Sequence, residues 1–228
     1  NKGVWMMKRI IKFLLVTFIS TCTLACFAQE NSKPAFTADE VLRELMMGNA
    51  NFVQEQAKNG AENGEKRESS LEKGLHPIAV VISCNDLKIA PEFIFGQKLG
   101  ELFVIRNIGN VVDSNVLTGV EYATEHLQVP LVVVLGHTNC DSIKTAITED
   151  KDLDHVLHLF DELEAVIEES KSQEGDLLEN TIKNNVINVV KDLKKSKPLI
   201  KKQINKGEIK VVGAIYHSDT GEVEIVSE

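Results

Sequence analysis

Residues 130–147 read PLVVVLGHTNCDSIKTAI: an apolar run from Leu131 to Leu135 stops at Gly136 and delivers His137 and Cys140 three residues apart. A second run, residues 76–92, HPIAVVISCNDLKIAPE, ends the same way on Cys84, with Asp86 two residues later. Short continuous Val/Ile/Leu runs bounded by turn signals are what strands buried on both faces require. Strands are expected at Ile78–Ser83, Leu102–Arg106, Pro130–Leu135 and Ile209–Tyr216, with an edge strand at Val223–Val226. Helical patterns alternate with them near Pro91–Gln97, Asn115–Leu127, Cys140–Ile147, Leu153–Glu169, Leu177–Ser196 and Leu199–Gln203. This order predicts an α/β fold: a mostly parallel central sheet of about four strands plus an edge strand, flanked by helices. In such sheets ligands gather beyond the carboxyl ends of the strands, where both clusters fall.

The rest of the chain frames that core. FTADEVLRELMMGNANFVQEQAKNG, residues 36–60, opens with Thr37 and Glu40 as a capping box, and Val41, Leu42, Leu45 and Met46 recur at helical spacing. The spacing predicts a helix broken near Gly48 and resumed through Phe52. Residues 59–74 are polar and glycine-punctuated, which reads as a surface loop. DLDHVLHLFDELEAVIEES, residues 152–170, is amphipathic, and helix packing explains it without a membrane. No repeat, phosphate loop or linker calls for a second domain.

The first residues have a different character. MKRIIKFLLVTFISTCTLACFAQE, residues 7–30, places Lys8, Arg9 and Lys12 ahead of an apolar run from Phe13 to about Ala28. That is the layout of an export signal, too short for a comfortable span. The expected division is therefore 1–28 as signal and 29–228 as a single domain, exported to the periplasm or secreted. Cleavage after Ala28 is the favoured reading, and a lipid anchor on Cys26 is the alternative. The 228-residue chain has 43% hydrophobic residues and a net charge of −9. Cleavage would remove four basic residues and no acidic one, leaving 21 Lys and Arg against 34 Asp and Glu, a net charge of −13. Nucleic acid is thereby excluded as a natural partner.

Export also changes the cysteine arithmetic. Of the four cysteines, Cys22 and Cys26 lie in the signal, leaving Cys84 and Cys140 in an oxidising compartment. A disulfide between them is the plain reading. A disulfide, however, needs neither the histidine before Cys140 nor the carboxylate after Cys84. Two thiolates, one imidazole and a carboxylate or water make a four-coordinate zinc site, and Cys₂His with an open position is a known catalytic arrangement. Both readings stand at this level.

Four segments carry a family resemblance: CNDLKIAPE (84–92), ELFVIRNIGNVV (101–112), TGVEYATEHLQVPLVVVLGHTNC (118–140) and GAIYHSDTGEVEIV (213–226). In order and spacing they are similar to the signature segments of the β-class carbonic anhydrases, over roughly Ala38 to Val226. The resemblance implies a zinc enzyme that interconverts carbon dioxide and bicarbonate, commonly as a homodimer or tetramer. It implies Cys84, His137 and Cys140 as zinc ligands. Asp86 would either fill the fourth zinc position or accept a hydrogen bond from the attacking hydroxide, with Lys88 at the position of its family partner, an arginine. Arg106, Asn107, Gly109 and Asn110 match a family segment and are expected to organise backbone near the cleft. Ile89 and Val104 are pocket candidates by position alone.

The chain also departs from the family pattern. Asn85, Leu87 and Lys88 stand where the family shows serine, serine and arginine, and Asp141 stands where it shows glycine. Lysine offers a point charge on a flexible stem in place of a rigid fork, so Asp86 should be held less firmly. Asp141 adds a carboxylate that would oppose bicarbonate. The alternative function is thus a zinc-binding relative with weak or no hydration, or one acting on a sulfur analogue of carbon dioxide. His155 and His158, one helical turn apart, read as solvated or packed; His126 ends a helix, and His217 begins a turn.

Overall fold

Every residue of the first strand, β1 (Ala79–Ser83), is buried, and this sets the architecture. A computed structural model describes residues 36–56, 76–98, 100–148, 157–195 and 198–228. The expected signal, residues 59–74 expected as a loop, and His155 lie outside the described residues, as does the side chain of His158. With β2 (Leu102–Arg106), β3 (Leu131–His137), β4 (Lys210–Tyr216) and β5 (Val223–Ser227), the strands form one sheet in the order β2-β1-β3-β4-β5. The first four run parallel, and β5 pairs antiparallel with β4 at the edge.

Alternation of side chains feeds two cores. Val80, Ile82, Val132 and Val134 point to one face. There they meet α3 (Ser114–Glu125), α4 (Asp141–Thr148), α5 (Leu157–Lys171) and α6 (Leu177–Lys195), through Val120, Ile143, Leu163 and Val186 among others. Ile200 of α7 (Pro198–Asn205) joins the same cluster. Ala79, Val81, Leu131, Val133 and Leu135 point to the other face, covered by Val41 and Leu45 of α1 (Ala38–Gln56) and Ile94 of α2 (Pro91–Ile94). The central strands β1 and β3 are buried along their whole length because both faces are packed.

The predicted break in the first helix is absent. α1 continues through Gly48, because the glycine is there for packing: a Cβ at that position would lie 1.9 Å from the Phe95 carbonyl oxygen. Its capping box forms as read, with Thr37 N donating to Glu40 Oε2 at 2.8 Å and Glu40 N to Thr37 Oγ1 at 3.3 Å.

Register decides where the site falls. Ser83 at the end of β1 lies opposite Leu135 in β3 and Arg106 in β2, and β3 runs two residues further, to His137 opposite Tyr216. The residue after β1 and the end of β3 therefore meet over one edge of the sheet. Among the described residues, no helix is long and apolar enough to cross a membrane.

Candidate metal centre

Cys84 follows β1 directly, His137 ends β3, and Cys140 sits one tight turn later, just before α4. Asn139 makes that turn in the left-handed region, at φ 54°, a conformation asparagine tolerates better than most residues. All three side chains are buried, and their ligand atoms lie within 4.8 Å of one another. The two Sγ atoms are 3.8 Å apart and both thiols are free, so no disulfide joins them.

The imidazole settles which nitrogen is available. His137 Nδ1 is 3.0 Å from the Thr138 carbonyl oxygen, which can only accept, so Nδ1 carries the proton. That leaves Nε2, buried and without a hydrogen-bond partner. Burying a polar nitrogen unpaired costs on the order of 1–3 kcal/mol. A metal ion held by Nε2 and two sulfurs removes that cost, so the donor set fits zinc.

Among the three side chains the electrostatics favour a single thiolate, on Cys84. The hydrogen bond from Cys140 holds the Cys84 thiol well below the ordinary thiol range despite burial, with help from His137 and the peptide N–H groups of Asp86 and Gly109. The same bond, together with burial, pushes Cys140 up. Burial pulls His137 down, but the neighbouring Cys84 and its charge, the Thr138 carbonyl and Asp86 outweigh it and raise the imidazole.

Around this trio the loops are tied by polar side chains. Arg106 Nη2 donates to the Asp86 carbonyl at 2.7 Å and Nε to the Cys84 carbonyl at 3.4 Å, so the guanidinium grips the backbone of the ligand loop. Asn107 accepts from Ile108 N and donates to Val111 O, closing a 3-10 turn at Ile108–Asn110. Gly109 adopts φ 60° there, and its carbonyl accepts from the buried Asn185 Nδ2 at 2.8 Å. Arg106, Asn107 and Gly109 of the expected segment thus bond backbone here. Sequence reasoning does not single out Asn185, Thr138 or Ser218; the only signal for Asn185 is a polar residue on the apolar face of α6.

Asp86 and Lys88 lie at the rim. Asp86 Oδ1 accepts from Lys88 N at 2.9 Å, and Lys88 Nζ stands 3.9 Å from Asp86 Oδ2 and 3.8 Å from Asp141 Oδ2. The Asp141 carboxylate is exposed and opens α4, so it meets Lys88 and does not crowd the backbone. Ile89 is fully buried and Val104 partly buried, both in the core on that face of the sheet. His217 does begin a turn, pairing with Glu224 at 3.2 Å, and it is not among the convergent ligands. It lines a groove of about 650 Å³ between α1 and the β4–β5 hairpin, with Met46, Asn49 and Glu222, and none of the three ligands lines that groove.

The comparisons with known proteins point the same way. Residues 79–223 match the profile of the carbonic anhydrase family. The chain is 42% identical over 106 residues to a carbonic anhydrase of Mycolicibacterium smegmatis, covering 46% of this chain and 51% of that one. It is 32% identical over 169 residues to a carbonic anhydrase of Synechococcus elongatus, covering 68% and 62%. Among solved structures, a β-carbonic anhydrase of Coccomyxa in complex with acetazolamide superposes with a TM-score of 0.64 at 25% identity, over 81% of this chain and 86% of that one. The chain belongs to the β-class carbonic anhydrase family. It spans about half the length of the mycobacterial relatives it matches.

Proposed function

We propose that the protein is a zinc-dependent carbonic anhydrase that interconverts carbon dioxide and bicarbonate. The observation that carries this reading is the convergence of two buried thiols with a buried imidazole nitrogen that has no other partner. Cys84, His137 and Cys140 would hold the ion. Zinc, when bound, supplies a Lewis acid that makes water a nucleophile near neutral pH.

The chain's own residues do the rest. The Asp86 carboxylate accepts a hydrogen bond from the attacking oxygen and aims it, or, turned inward, takes the fourth ligand position. Lys88 sets the balance between these two roles by holding Asp86 through its peptide N–H and its ammonium. Arg106 keeps the carbonyls of Cys84 and Asp86 in place, so the loop carrying both residues cannot drift. The tight register at the strand ends keeps the thiols preorganised, so little metal-binding energy is lost to ordering them.

One observation favours the second reading, a zinc-binding relative with weak hydration or one acting on a sulfur analogue. Lys88 is shared almost equally between Asp86 and Asp141, so its charge is not devoted to Asp86. Export to the periplasm or outside the cell rests on the leader pattern, and N-terminal sequencing of the mature protein tests it. Assembly as a homodimer or tetramer is proposed with support from the exposed Phe36, Met47 and Phe93 near α1 and α2; sedimentation decides it.

The deciding experiment is stopped-flow carbon dioxide hydration by zinc-loaded protein between about pH 6 and 9, the range in which zinc-activated water ionises, with Cys84→Ala as control. A zinc-dependent rate rising with pH supports the enzyme. Zinc-loaded protein with no rate across that range sinks it in favour of the second reading.

A further inference from the structure

Thr138 lies between two ligands in sequence, yet its own contacts lead away from the site. Its peptide N–H donates to the Tyr216 carbonyl at 3.0 Å. Its hydroxyl oxygen accepts from Ser218 N at 3.0 Å and pairs with Ser218 Oγ at 3.1 Å. Its carbonyl accepts the His137 Nδ1 proton at 3.0 Å. Three polar groups of one buried residue are therefore committed: one to the end of β4, one to the turn that follows it, and the third to the imidazole.

The turn is anchored in its own right. His217 N donates to Glu222 O at 2.8 Å and Gly221 N to His217 O at 2.7 Å, closing the hairpin. The buried Asn49 of α1 then ties it down: Nδ2 donates to Gly221 O at 2.9 Å and to Ile94 O at 3.1 Å, while Oδ1 accepts from Val223 N at 3.1 Å. A continuous run of hydrogen bonds thus leads from α1 through the β4–β5 turn to the carbonyl that orients His137. Holding Thr138 at its peptide N–H and its hydroxyl fixes its Cα and so limits how far its carbonyl, in the next peptide unit, can move, and a histidine whose Nδ1 proton is fixed presents Nε2 in one direction.

We propose that Thr138 and Ser218 are positioning residues: their hydroxyl pair locks the carbonyl that orients His137, so the β4–β5 turn sets the metal affinity of the cluster. The inference rests on the zinc reading above. Neither residue touches the metal or a substrate; both act through His137. The sequence separates them by 80 positions, and only the pairing of β3 with β4 brings them together.

The test measures zinc dissociation constants for the full chain by competition with a chromophoric chelator, beside the absorption spectrum of the cobalt-substituted protein. Thr138→Val keeps the shape and loses the acceptor, and is expected to weaken zinc binding about 10-fold or more and to shift the cobalt bands, in line with other losses of groups behind a ligating histidine. Thr138→Ser should restore binding to within about threefold, because it returns the hydroxyl. Ser218→Ala, which keeps the peptide N–H, should fall between them, and it serves as the test if Thr138→Val does not fold. A change that only loosened the fold would lower the melting temperature of the metal-free protein and leave the cobalt spectrum as it was. Unchanged zinc affinity and spectrum in the folded Val or Ala variant overturn the inference while the zinc reading survives. A wild-type chain that binds no zinc overturns both.

Discussion

The two ends of the candidate site are built by different physics. The inner end, Cys84, His137 and Cys140, is buried, set by strand register and enclosed by packing. The outer rim, Asp86, Lys88 and Asp141, is held by ion pairs of 3.8 to 3.9 Å with Lys88 more than half exposed. Three buried donors that converge on one point, one of them with no other partner, should take up an ion together or not at all. The Lys88–Asp141 pair is exposed on both sides, and such pairs contribute roughly 0–1 kcal/mol and are screened by salt, so the rim is adjustable from that side even though the Asp86 side chain is only 10% exposed. The inner end should therefore decide whether the protein holds a metal, and the rim how well it then works.

The sharpest way to break this division is to remove an inner ligand. His137→Ala should lower bound zinc from about one ion per chain to near none, measured by atomic emission on dialysed protein, and hydration should fall to the uncatalysed rate. Retained zinc in this variant would mean that the ion sits elsewhere. Asp86→Asn should have a smaller and different effect: zinc content unchanged and hydration reduced about 10² to 10⁴-fold, the range typical of losing a positioned acid or base. Loss of zinc along with activity would move Asp86 from the rim into the ligand set.

The smallest effect sharpens the rim itself. Asp141→Gly releases Lys88 to Asp86 alone, and hydration is expected to rise a few-fold, since a shared surface pair carries no more than about 1 kcal/mol. Adding Lys88→Arg should raise it further by supplying a two-pronged hold on the carboxylate. Both gains should shrink between low and high salt, whereas the His137→Ala loss should not change. Gains independent of ionic strength would show that Asp141 acts through shape and not charge.

Much of the fold is legible in the amino-acid sequence. The apolar runs mark all five strands to within two residues at either end, because parallel strands packed on both faces leave little room for polar residues. The candidate ligands stand out because Cys84, His137 and Cys140 each follow or end such a run. Gly48 misleads because glycine weakens a helix by itself, and only the approach of the Phe95 carbonyl explains why the helix tolerates it there. The pattern places Arg106 near the cleft, but its grip on the Cys84 and Asp86 carbonyls depends on β2 lying beside β1, which periodicity does not report.

By itself, then, the sequence determined the strand and helix content, the chemical identity of the donors and their position at strand ends, since these follow from local pattern and side-chain type. The tertiary structure alone decided that Lys88 divides itself between two carboxylates. It also decided that Asn185 reaches Gly109 across 76 positions, and that the hydroxyl of Thr138, whose carbonyl accepts from His137, pairs with Ser218 of the far hairpin. Those contacts join residues distant in the chain through hydrogen bonds of a few ångströms. Their geometry is set by sheet order and register, which no run of neighbouring residues encodes.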